Sequence, residues 1–253
     1  INGKGNYKDN RVLNFKIIPT PLIITAEDKT KEFGEDDPEL TVSYTGFVNG
    51  EDAEDLTGTL AISRVAGESV GSYAITASGL TSTNYDITYT PGTFMINRRS
   101  ITETDITVAP IADLVYNGSL QRPKPIVEDG SNLLEEGIDY KLSYSDNINV
   151  GQAMVTITGL GNYDGSRTVR FMIVPKVIEI LIPDQEKDYG AQDPVLVFTA
   201  DPVLFGSDEF TGVLSRESGE AVGEYLISSG TLSAGDNYTL NIQSDAIFRI
   251  IRI

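Results

Sequence analysis

Residues 157–173 read ITGLGNYDGSRTVRFMI, and this stretch decides the fold. In its second half, Val169, Phe171 and Ile173 alternate with Arg170 and Met172. Such a period of two belongs to a strand with one face in a core and one in water. Before it, Tyr163-Asp164-Gly165 carries turn chemistry. The same stretch opens the chain as INGKGNYKDNRVLNFKI, residues 1–17. Ile1, Gly3, Gly5, Asn6, Tyr7, Arg11, Phe15 and Ile17 recur as Ile157, Gly159, Gly161, Asn162, Tyr163, Arg167, Phe171 and Ile173, at a constant offset and without a gap.

The correspondence continues downstream. Phe33-Gly34-Glu35-Asp36-Asp37-Pro38-Glu39-Leu40 returns as Tyr189-Gly190-Ala191-Gln192-Asp193-Pro194-Val195-Leu196. Gly67-Glu68-Ser69-Val70-Gly71-Ser72-Tyr73 returns as Gly219-Glu220-Ala221-Val222-Gly223-Glu224-Tyr225, and Asn84-Tyr85 as Asn237-Tyr238. Two module types therefore alternate. One occupies 19–98 and 175–253; the other occupies 99–174, and its last strands reappear at 1–18. Such ordered repetition marks an array of small domains, and the opening reads as a cut inside that array.

Every module reads as β. Leu40–Tyr44, Tyr85–Tyr89 and Tyr140–Tyr144 alternate, and Asn49-Gly50, Asp129-Gly130 and Ser145-Asp146-Asn147 punctuate them. The best helical candidate, Glu51–Leu56, is one turn long. The expected class is all-β, as tandem small antiparallel β-sandwich modules. For the modules at 19–98 and 175–253, the alternative is a β-grasp-like sheet with one short helix. At the junctions, Phe15-Lys16-Ile17-Ile18-Pro19 and Phe171-Met172-Ile173-Val174-Pro175 lead straight into Leu22–Thr25 and Val177–Ile180, with no flexible linker. An elongated rod is expected from this.

The chain has 253 residues with 19 basic and 37 acidic side chains, a net charge of −18. That balance repels nucleic acid and anionic membrane surfaces. Cys, His and Trp are absent, which removes disulfides, thiolate and histidine catalysis and Cys/His zinc sites. No apolar run is long enough to cross a membrane as a helix.

The first module type resembles the MBG repeats of the YGX type, through Phe33-Gly34-x-x-Asp37-Pro38-x-Leu40, Asn49-Gly50, Leu56-Thr57-Gly58 and Asn84-Tyr85 before Phe94-Met95-Ile96. The second resembles the bacterial Ig-like repeats that accompany them, through Val115-Tyr116-Asn117-Gly118, Val127–Gly130, Gly137–Tyr140 and Gly159–Tyr163. The resemblance implies Ig-like modules from the extracellular part of a bacterial surface or secreted adhesin. It implies a non-catalytic stalk or spacer, with an adhesive module for host glycan, mucin or matrix protein as the alternative. Neighbouring repeats would be its partners and the segment itself a monomer.

Two acidic runs are the candidate metal ligands. Glu35, Asp36 and Asp37, with Glu51, Asp52, Glu54 and Asp55, offer carboxylates of the kind calcium takes. Their spacing fits no EF-hand, and the second copy replaces Glu35-Asp36 by Ala191-Gln192. Solvated loop charge is the better reading, so no cofactor is expected. Asp37-Pro38 and Asp193-Pro194 read as turns in which Asp bonds nearby backbone N–H groups. The recurring tyrosines Tyr7, Tyr163, Tyr85, Tyr238, Tyr73 and Tyr225 read as core or corner residues rather than a sugar-stacking platform. No pair of carboxylates picks out an acid and a base across a cleft, so no enzyme is expected.

Overall fold

The protein is described by a computed structural model covering residues 2, 4–6, 11–243 and 245–252. It forms two compact units. One is Ile1–Ser100 with Gly161–Asp164, and the other is Ile101–Leu160 with Gly165–Ile253.

In the first unit, seven strands make two sheets: β1 (Thr20–Ala26), β2 (Lys29–Glu32), β3 (Val42–Thr45), β4 (Thr57–Arg64), β5 (Gly71–Thr81), β6 (Tyr85–Thr90) and β7 (Gly92–Asn97). The sheet orders are β3-β1-β6 and β2-β7-β5-β4. Alternation in β1 buries Leu22, Ile24 and Ala26, and in β7 it buries Phe94 and Ile96. Ile75 of β5 completes the core. Each such Leu, Ile or Phe contributes roughly 1.5–3 kcal/mol through burial.

Between β1 and β2 the chain steps from one sheet to the other at Glu27-Asp28. The Asp28 carboxylate accepts the Thr93 N–H at 2.6 Å and holds that step. A short strand, β8 (Arg99–Ser100), follows and pairs in parallel with Tyr163–Asp164.

In the second unit the central segment carries β9 (Ile106–Val108), β10 (Leu114–Val115), β11 (Val127–Asp129), β12 (Asn132–Leu133), β13 (Tyr140–Ser145), β14 (Gly151–Gly159) and β16 (Ser166–Val174); β15 is the Tyr163–Asp164 pair already placed. Its sheets run β10-β16-β14-β13 and β12-β11-β9. The C-terminal repeat carries β17 (Lys176–Leu181), β18 (Gln185–Asp188), β19 (Thr199–Asp201), β20 (Ser215–Arg216), β21 (Gly223–Ser228), β22 (Tyr238–Gln243) and β23 (Ile247–Ile251). It reproduces the first unit's sheets as β19-β17-β22 and β18-β23-β21-β20.

One hydrophobic cluster spans the junction within this unit. It joins Tyr116, Phe171 and Ile173 of the central segment to Ile178, Ile180 and Phe248 of the repeat. Only Pro175 separates β16 from β17.

The all-β tandem-module expectation holds, with two modifications. The sheets are mixed, not purely antiparallel: β1–β6, β2–β7, β17–β22, β18–β23 and β10–β16 all pair in parallel. Alternation fixes which face of a strand is buried but says nothing of its neighbour, so this was invisible in the sequence. Among the described residues the chain forms no α-helix, and the expected turn at Glu51–Leu56 is a 3-10 turn, Ala53–Asp55. The β-grasp alternative therefore gives way to paired sheets.

Candidate functional site

The most elaborate polar arrangement in each repeat is an ion cluster on the β2-β7-β5-β4 sheet. Lys31 occupies an inward position of β2, where its side chain is 4 % exposed. A buried ammonium needs charged partners. Its Nζ reaches Asp37 at 2.8 Å and Glu68 at 2.6 Å and donates to the Glu35 carbonyl at 2.9 Å.

Arg64, at the end of β4, closes the ring. It donates through Nε and Nη2 to both Asp37 oxygens, through Nη2 to Glu68, and through Nη1 to the Val65 and Gly67 carbonyls. The guanidinium also lies over Phe94, 4.7 Å from its centroid, and over Tyr73 at 5.6 Å. This arrangement uses the planar fork and stacking that distinguish Arg from Lys.

The second repeat builds the same object. Lys187 holds Asp193 at 2.6 Å and Glu220 at 2.5 Å, and Arg216 bridges the same two carboxylates. Arg216 donates to the Glu217 and Gly219 carbonyls and lies over Tyr225 and Phe248.

The electrostatics follow from the geometry. Arg64, and after it Lys31, hold the Asp37 carboxyl down at about 2; Arg216 and Lys187 do the same for Asp193, also at about 2. Glu68 is lowered mainly by Lys31, and Glu220 mainly by Lys187. The two lysines are raised in turn, chiefly by Asp37 and Asp193.

Gly67 is obligatory here. Its φ is +153°, and a Cβ on it would lie 2.3 Å from the Tyr73 ring. Gly219 stands in the same relation to Tyr225, at 2.4 Å. Both tyrosine hydroxyls donate to a carbonyl four residues upstream, Ser69 and Ala221. The cluster thus pins the Asp-Pro loop and the Gly-Glu loop to one sheet.

A second recurring arrangement uses the Asn-Tyr dipeptides. In the second unit the Asn237 Oδ1 accepts the Val150 N–H at 2.9 Å, and its carbonyl accepts the Lys176 N–H. Tyr116 and Tyr238 both donate to Asp208 Oδ2, at 2.9 and 2.7 Å, with their rings edge to face at 5.3 Å. Burial, reinforced by that carboxylate, pushes the Tyr238 hydroxyl up to about 12. Phe205 donates its N–H to the Tyr238 oxygen and packs on Gly118 and Tyr116.

In the first unit the Asn162 Oδ1 accepts the Val70 N–H at 3.0 Å, and its carbonyl accepts the Arg99 N–H. Tyr163 meets Phe33 edge to face at 5.5 Å. Asn84 likewise accepts the Thr20 N–H on its carbonyl. Tyr85 accepts the Val48 N–H and donates to Glu51.

The acidic candidates are dispersed among these roles. Asp37 serves the ion cluster, so its carboxylate meets two cations where backbone N–H groups were expected. Glu35 accepts the Glu32 N–H and Glu51 holds Tyr85. Asp52 and Asp55 cap the two ends of a capping box around the 3-10 turn that contains Glu54. Asp36 is exposed. Among the described residues, no group of three or more His, Cys, Asp and Glu side chains is placed to hold a metal ion.

Of the recurring tyrosines, Tyr85, Tyr163 and Tyr238 are buried, and Tyr73 and Tyr225 are half-buried over arginine; Tyr7 lies outside the described residues. Sequence reasoning missed Lys31, Lys187, Arg64 and Arg216. The available signal was a basic residue recurring at an inward strand position.

Paired sheets repeated in tandem, each carrying a fully partnered ion cluster, define an all-β repeat protein. A family model for the MBG domain, YGX type, matches residues 22–95 and again 178–248, and the chain belongs to that family. MBG repeats are structural, non-catalytic modules. No curated protein matches the chain significantly.

Proposed function

We propose that this chain is a non-catalytic stalk or spacer segment of a bacterial cell-surface or secreted adhesin-like protein, with an Ig-like module between two MBG modules. It works outside the cell as a monomer whose immediate partners are neighbouring repeats. The observation that carries this reading is the junction at Pro175. One residue links two modules, and a single core continues across them from Phe171 to Ile178. A joint built that way resists bending, which is what a spacer requires. The −18 charge keeps such a segment soluble and self-repelling.

Solution scattering tests the reading. A rod of these modules should give a radius of gyration of about 30 Å, reasoning from strand rise. A compact 253-residue globule gives about 18 Å, and that value would overturn the proposal.

The alternative is an adhesive module for host glycan, mucin or matrix protein. One observation favours it: an open groove of about 630 Å³ in the second repeat, between Asp193–Phe198 and Gly212–Glu220, with Val195 and Val213 exposed. Saturable binding of the multivalent chain to one such class, lost on Val195→Asp, would establish it. Repeating the measurement with and without calcium tests whether the acidic loops contribute.

A further inference from the structure

The two Asn-Tyr joints follow one rule. Each of the three modules has a Val-Gly step where its long strand begins: Val70-Gly71, Val150-Gly151 and Val222-Gly223. The first two Val N–H groups are each taken by an Asn side-chain oxygen from the Asn-Tyr that lies farther along the chain, Asn162 and Asn237. The same Asn uses its carbonyl to receive the first strand of its own module, at Arg99 and at Lys176. Asn84-Tyr85 has this second half of the rule, through Thr20, and its Asn is exposed.

The surroundings of Tyr85 also match those of Tyr238. Each tyrosine oxygen accepts one loop N–H, from Val48 and Phe205 respectively, and each hydroxyl donates to a carboxylate, Glu51 and Asp208. At Asp208 that carboxylate takes a second tyrosine as well, Tyr116 of the central segment.

Beside this face runs Arg11–Ile18, whose Phe15 and Ile17 are 87 % and 84 % exposed. Their counterparts Phe171 and Ile173 are 3 % and 0 % exposed, enclosed by β14 and β10. Ile17, Ile18, Asn84, Tyr85, Glu51 and Val48 line one shared depression.

We propose that this face is half of a joint, and that its occupant is a module of the central type supplying the strands of residues 101–156 but not the last one. Arg11–Ile17 enters that module as its final strand. Asn84 takes the N–H of the Val150 counterpart, and Glu51 takes the hydroxyl of the Tyr116 counterpart. The proposal rests on the spacer reading, because it specifies how neighbouring repeats bind.

The test adds a duplicate of residues 101–156 directly ahead of Ile1, which restores the sequence register without a gap. Amide hydrogen exchange is then compared with that of the unextended chain. The amides of 11–17 should slow by about 100-fold or more on joining a sheet. Asn84→Ala should then speed exchange at the duplicated Val150 by roughly five- to tenfold, the effect of one hydrogen bond, and leave the original Val150 unchanged. Asn237→Ala should do the reverse.

Unprotected amides at 11–17, or a duplicated Val150 indifferent to Asn84, would overturn the proposal. So would failure of the duplicated β13 and β14 to gain protection, since the donated strand would then be incompetent. Scattering of the unextended chain reports on shape alone, so the two proposals can fail separately.

Discussion

Asp37 and Asp193 show how a single side chain can couple stability to pH. Each carboxyl titrates at about 2 when folded, under the hold of an Arg and a Lys, and in its ordinary range, 3.8, when unfolded. Below that ordinary value the unfolded chain takes up protons that the folded chain refuses. The stabilisation is therefore complete above pH 4 and is lost as pH falls from about 4 to 2. Melting temperature should drop steeply in that window. The double variant Asp37→Asn, Asp193→Asn should melt lower at pH 6 and show a flatter acid limb; an unchanged limb would contradict the cluster's role.

Gly67→Ala and Gly219→Ala should each destabilise by about 1–3 kcal/mol, since φ is unsuited to an L side chain and a Cβ meets a tyrosine ring. Denaturant unfolding measures this directly. Asp37, Glu68 and Tyr73 were legible as repeated residues, but their common purpose was not. It depends on Lys31 and Arg64, and a charge on an alternating strand reads as outward-facing until a partner is seen across the sheet.

Strands were easier to read than their pairing. Tyr85–Tyr89 became β6, Tyr140–Tyr144 became β13 and Val169–Ile173 lies within β16, because each alternates with its turns close by. The two repeats do not carry equal strands. The edge strand β4 has eight residues, whereas its counterpart β20 has two. Three residues, 61–63, separate Leu60 from Arg64, where one, Ser215, separates Leu214 from Arg216. The second copy is thus two residues shorter within the strand itself, and beyond β20 the pairing continues through the Thr231 N–H to the Val213 carbonyl and the Thr211–Ser233 bridge. Amide exchange should accordingly be faster at 211–214 than at the corresponding residues 57–60. Equal protection would mean that β20 extends further than its two residues.

At the scale of the whole chain, the central segment and the C-terminal repeat fall in one compact unit. Tyr116, Ala153, Phe171 and Ile173, at one end of the central segment, join the core of the C-terminal repeat, and no sequence period reports which side chains will meet across a junction. Ile180 is 1 % exposed within that shared core. Ile180→Ala should cost about 2–5 kcal/mol. It should weaken amide protection in β14 and β16 as well as in β21 and β23. A loss confined to residues 175–253 would show that the core is divided.

The parallel pairing of early with late strands has a further consequence under tension. In each MBG repeat β2 or β18 enters near the N-terminal end and lies beside the exiting strand, β7 or β23, over four residue pairs. Stretching a repeat by its two ends slides those strands along one another, so their hydrogen bonds are sheared together and cannot be unzipped in turn. Each repeat should therefore give way to a pull on its ends only when four paired residues yield at once, at a force well above what an unzipping hairpin withstands.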